Sequence, residues 1–98
     1  MRLTNSEINA IKQTFLDLFH EGKVYLFGSR VDDTKRGGDI DLYFELDENL
    51  SVEELMRLKV QFKLKLYDLI GEQKIDIVVS KDRERSIEKE IMKNGVLL

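Results

Sequence analysis

The chain has 98 residues, with 16 basic and 19 acidic side chains and a net charge of −3. That near balance argues against direct binding to a nucleic-acid backbone, which calls for a basic face. Cysteine is absent and His20 is the sole histidine, which excludes disulfides and thiolate metal sites and disfavours zinc or Ser–His–Asp chemistry. No apolar run approaches ~20 residues, so no membrane-spanning helix is expected. The N-terminal MRLTNSEINA lacks the apolar core of a signal peptide, which makes the cytoplasm the expected location. With 42% hydrophobic and 36% charged residues, the chain is expected to fold as one domain over residues 1–98, with a modest core under a charged surface.

Thr4-x-x-Glu7 has the form of a capping box, and Ile8, Ile11, Phe15, Leu18 and Phe19 then recur at helical spacing. These signals predict a helix over Ser6–Glu21, stopped near Gly22. Lys23–Phe27 (KVYLF) reads as a strand that runs into a Gly28-Ser29 turn. The polar segment Ser29–Gly38 follows, with a short helical turn expected from Ser29. Asp39–Glu45 (DIDLYFE) predicts a second strand and Asp47–Ser51 a loop.

Ser51-x-x-Glu54 is a second capping box. Beyond it the pattern is double. Val60, Phe62, Leu64 and Leu66 alternate as in a strand, while Leu55, Leu58, Phe62, Leu66 and Leu69 form a helical stripe. The cap, the ~19-residue length and the closing Gly71 favour a helix to Ile70. Lys74–Ser80 (KIDIVVS) predicts a third strand and Arg83–Lys93 a last helix stopped at Gly95. Val96-Leu97-Leu98 fits either a final strand or a docking tail. This alternation predicts an α/β fold with a short mixed sheet and helices packed on it. His20 is expected at the surface near a helix end, and Lys59, Lys63 and Lys65 on a solvated face.

Chemistry concentrates in three places. Asp39 and Asp41 are two apart on a strand, so both face one side while Ile40 and Leu42 face the core. Carboxylates held that close repel each other, and a divalent cation relieves the conflict. Oxygen donors of this kind suit Mg²⁺ or Mn²⁺ rather than zinc. A solvated edge strand is the alternative. Gly28-Ser29, at the end of an apolar strand, can present backbone N–H groups to a phosphate, or can be an ordinary turn. Asp76, between Ile75 and Ile77, would be costly if buried unpaired. It either joins a metal cluster, lies on an exposed face or pairs with a nearby lysine.

Taken together, F-G-S-R at 27–30, D-I-D-L-Y-F at 39–44 and the acid of a later strand resemble the polymerase-β-like nucleotidyltransferase superfamily. The likeness is closest to its minimal nucleotidyltransferase (MNT) members, partners of HEPN-type proteins. The resemblance implies the small nucleotidyltransferase fold. It also implies that Asp39, Asp41 and Asp76 are catalytic and hold two Mg²⁺ ions (or Mn²⁺), Asp76 holding one and helping to deprotonate the attacking hydroxyl. Gly28 and Ser29 would bind the nucleoside triphosphate, with Arg30 beside them. The implied reaction moves AMP from ATP to a hydroxyl, a tyrosine of a HEPN-type helical toxin, within a hetero- or homo-oligomer. The family pattern has a glycine soon after G-S-R and a serine before the first acid. Here those places hold Asp32-Asp33 and Gly38. Two other readings stand beside the enzyme: a weakly catalytic module that neutralises its partner by contact, and a nucleotidyltransferase acting on small molecules.

Overall fold

The computed structural model describes residues 3–28, 39–46, 50–80 and 86–98. The elements run α1 (Asn5–Phe19), β1 (Lys23–Phe27), β2 (Ile40–Glu45), α2 (Val52–Ile70), β3 (Ile75–Val79), α3 (Ser86–Asn94) and β4 (Val96–Leu97). The strands form one sheet in the order β3-β2-β1-β4. β1 pairs antiparallel with β2 and β4, and β2 pairs parallel with β3. The expected mixed sheet with helices on it is therefore the fold observed. The parallel pair requires a crossover, and α2 supplies it.

α1 starts on the reciprocal capping bonds read from the sequence. Glu7 N donates to Thr4 Oγ1 at 3.1 Å, and Thr4 N donates to Glu7 Oε1 at 2.9 Å. The helix ends at Phe19, two residues before the expected stop, because His20 adopts φ 65° as its exposed C-cap. Gly22, at φ +117°, turns the chain into β1, and a Cβ there would meet the Glu45 carbonyl oxygen at 2.5 Å. Only glycine combines that dihedral with that closeness.

One sheet face is the core. Val24 and Leu26 of β1, Ile40, Leu42 and Phe44 of β2, and Ile75 and Ile77 of β3 meet Ile11, Phe15 and Phe19 of α1 and Phe62 and Leu66 of α2. Phe44 stands at the centre, edge-on to Phe15, Phe19 and Phe62 with ring centroids 4.8, 5.3 and 5.0 Å away. Such aromatic arrangements add to the effect of burial. Lys65 of α2 pairs with Asp17 of α1 at 2.9 Å. Both are solvated, so that pair contributes little.

The double pattern in α2 has a structural cause. Phe62 and Leu66 enter the core, while Val52, Met56, Val60 and Leu64 form a second, exposed row at four-residue spacing. Superposing two apolar rows on one helix produces the strand-like alternation at 60–66. The C-terminal tail resolves as a strand: β4 pairs with β1, and Leu98 N donates to Val24 O at 2.9 Å.

The opposite sheet face carries Lys23, Tyr25 and Phe27 of β1 with Asp41, Tyr43 and Glu45 of β2, as the strand alternation requires. Tyr43 is fully buried there beside Tyr25, whose hydroxyl donates to Glu45 Oε2 at 3.3 Å. α3 contacts β1 and buries Ile91, which, like Tyr43, lies outside the α1–α2 core cluster. Among the described residues, no helix is long and apolar enough to cross a membrane.

Two substitutions on α2 separate its rows. Phe62→Ala is expected to cost about 3–5 kcal/mol in chemical denaturation. Val60→Lys, two residues away on the exposed row, is expected to stay within about 0.5 kcal/mol of the wild type.

Candidate active site

β2 is the middle strand of the three that carry the site. On one side Asp41 stands opposite Phe27, the last residue of β1; on the other it stands opposite Asp76 of β3. Paired residues of neighbouring strands project to the same face. The register therefore sets Asp76 directly beside Asp41, at the end where β1 finishes and β2 and β3 begin. Asp39 lies one residue before β2, on the parity of Asp41, and Ile40 between them is buried in the core. The three acids named from the sequence thus gather at one corner of the sheet.

Their solvation differs. Asp39 and Asp41 are half-buried and Asp76 is exposed. Exposure removes the desolvation cost that a buried Asp76 would carry, so its conspicuous place between two isoleucines follows from strand alternation. Asp41 feels the crowding most. Burial raises its carboxyl above the ordinary value, and the charges of Asp76 and Asp39 and a hydrogen bond to Asp76 push it further; Lys74 opposes them. Like charges close together resist joint ionisation.

Gly28 completes the corner. It follows Phe27 at φ +77°, and a Cβ on it would collide with Asp41 Oδ2, with Asp41 Cγ at 3.2 Å. The turn backbone therefore lies against the Asp41 carboxylate, which joins the two halves of the sequence motif in space. Ser29 and Arg30 lie outside the described residues, as do Asp32, Asp33, Gly38 and the helical turn expected from Ser29.

A cation missed in the sequence also belongs here. Lys74 Nζ reaches Asp39 Oδ2 at 3.3 Å. Lys74 precedes Asp76 by two residues and shares its parity, but its place beside Asp39 follows from the pairing of β2 with β3. Among the described residues, no three acids or histidines already stand at metal-binding spacing, and Asp39 is engaged by the lysine instead. The donor set nevertheless fits a divalent ion. It consists of carboxylate oxygens, the repulsion around Asp41 is of the kind such an ion relieves, and the Gly28 backbone leaves room where a side chain would intrude.

The family model described as "Polymerase beta, Nucleotidyltransferase" matches residues 9–98. Among curated proteins, none gives a significant sequence match. Among solved structures, the chain is similar to one from a double aspartate-to-glutamate mutant of the toxin–antitoxin MntA–HpeT. The TM-score is 0.68 at 18% identity, covering 91% of this chain and 69% of that one. It is also similar to one from the tri-AMPylated Shewanella oneidensis HEPN toxin in complex with MNT antitoxin. There the TM-score is 0.63 at 20% identity, covering 93% and 67%. At these identities the likeness is one of fold.

The crowding at Asp41 sets the sign of a stability effect. A carboxyl raised on folding leaves the native chain holding more protons than the unfolded one. The penalty is therefore absent at low pH and grows as pH rises from the ordinary value of 3.8 through the folded one. Without divalent cations at neutral pH, Asp41→Asn is expected to raise the melting temperature by about 2–4 °C, a figure discounted for solvent screening. The gain should vanish below that ordinary value; an equal gain at acid pH would show that charge is not its source. Gly28→Ala is expected to lose about 1–2 kcal/mol in a denaturant titration, from backbone strain and the clash with Asp41.

Proposed function

The chain belongs to the polymerase-β nucleotidyltransferase family, and from that premise we propose that it moves AMP from ATP to a hydroxyl, a tyrosine of a HEPN-type helical partner. The observation that carries the proposal is the corner built by Asp39, Asp41 and Asp76 around the Gly28 turn. Three acids at the starts of two neighbouring strands, beside a turn that can offer backbone N–H groups, are the parts that phosphoryl-type transfer uses for position and charge.

Each residue has a role in this proposal. Gly28, Ser29 and Arg30 hold the triphosphate. Asp39 and Asp41 hold two Mg²⁺ ions, or Mn²⁺, and Asp76 holds one of them. When bound, such ions stabilise charge on the entering and leaving oxygens of an in-line displacement. The hydroxyl oxygen attacks the α-phosphorus, the bond to the β-phosphate oxygen breaks, and pyrophosphate leaves with that electron pair. Asp76 accepts the hydroxyl proton, a task suited to the most exposed of the three acids. The group transferred and the class of acceptor protein are suggested by the fold neighbour solved with a tri-AMPylated HEPN toxin. Residues 1–98 act here as a single catalytic domain, and the acceptor comes from a second chain.

The test is transfer of label from ATP to a co-purified HEPN-type protein in the presence of Mg²⁺. Label at the α-phosphate should appear on the partner and label at the γ-phosphate should not. Asp39→Ala/Asp41→Ala is expected to slow transfer by about 10³-fold or more. If the wild type transfers nothing while the double variant still neutralises the partner, the chain is a contact-only binding module.

A further inference from the structure

Lys74 stands apart from the other lysines of the structure. Its backbone is fixed at the site, because Ile40 N donates to the Lys74 carbonyl at 3.0 Å, tying the start of β2 to the residue before β3. Its ammonium rests on Asp39 Oδ2 at 3.3 Å, while its side chain is 71% exposed. Lys65, by contrast, pairs with Asp17 on α1. One positive charge thus sits on the rim of a cluster of three negative ones, engaged with an oxygen that the proposed reaction assigns to a metal.

We propose that Lys74 is a resident counter-ion of the acid cluster, which holds Asp39 while the site lacks a divalent cation and must release it when one binds. This rests on the assignment of Asp39, Asp41 and Asp76 as metal ligands. Two consequences of opposite sign follow. The ammonium offsets carboxylate repulsion, so it stabilises the metal-free chain. It also occupies a ligand oxygen and adds positive charge where a cation must enter, so it weakens metal binding. A lysine with a purely structural role produces the first effect without the second. Lys74 is accordingly a positioning residue, acting through Asp39.

The probe is Mn²⁺ alone, added to nucleotide-free protein and followed by the electron paramagnetic resonance signal of the free aqua ion. Lys74→Gln is expected to bind Mn²⁺ about 3–10-fold more tightly than the wild type, as loss of a solvent-screened charge at this distance implies. Lys74→Arg, which keeps the charge, should bind within about twofold of the wild type. In thermal melts, Lys74→Gln should unfold earlier than the wild type without Mn²⁺ and gain more on its addition. Equal or weaker Mn²⁺ binding by Lys74→Gln, with Asp41→Asn abolishing binding, would overturn the role of Lys74 and leave the metal site intact. Binding unaffected by Asp39→Asn and Asp41→Asn would overturn the metal site itself, and the inference with it.

Discussion

The parallel pairing of β2 with β3 governs where the chemistry of this chain resides. Asp41 and Asp76 are distant in sequence, and α2 lies between them. They meet because Ile40 pairs with Ile75 and Leu42 with Ile77, and these four side chains enter the core. A slip of one residue would turn isoleucine toward solvent and aspartate toward Phe44 and Phe62, at a cost the fold cannot sustain. Hydrophobic burial on one face of the sheet thus fixes the register of charge on the other.

That register works against the repulsion it creates. Three carboxylates share a corner, and Asp41, half-buried, bears most of the strain. The Gly28 backbone presses on the same carboxylate, and the left-handed turn there tolerates no side chain without strain. Lys74 returns part of the cost by pairing with Asp39. Behind this corner, on the reverse face of the sheet, lie the buried side chains of Leu26, Ile40, Leu42 and Ile75, and the aromatic cluster around Phe44 continues the same face toward the other end of β2. A well-packed wall is what allows like charges to be held together in front of it.

Much of this was legible in the residues. Both N-cap signals announced their helices, Thr4 with the full reciprocal box and Ser51 by accepting from Glu54 N, and strand parity placed Asp39 and Asp41 together with Ile40 and Leu42 behind them. The limits have physical causes. The early end of α1 depends on a left-handed His20, a conformation that residue preferences scarcely anticipate. α2 appeared double because it carries two apolar rows and only one is buried. The residues alone leave Asp76 open between a metal cluster, an exposed face and a lysine pair; it is exposed, because the run alternates and Asp76 faces water. Val96-Leu97 was too short to declare itself, since a two-residue strand draws its stability from its neighbour β1. Lys74 escaped notice because its role depends on which strand lies beside it, and pairing of that kind is non-local information.

The crossover that builds the corner also places it late in the life of the folding chain. β1 and β2 are antiparallel neighbours, whereas β3 reaches β2 only across the α2 crossover. Closing such a non-local parallel contact is intrinsically slow. Until it closes, Asp76 is remote from Asp41 and no three-acid cluster exists. Any cation that prefers the assembled cluster therefore distinguishes a chain with a docked β3 from one without, and favours the docked form by mass action. The acidic corner is in this sense a latch on β3, and its occupancy reports whether that strand has docked.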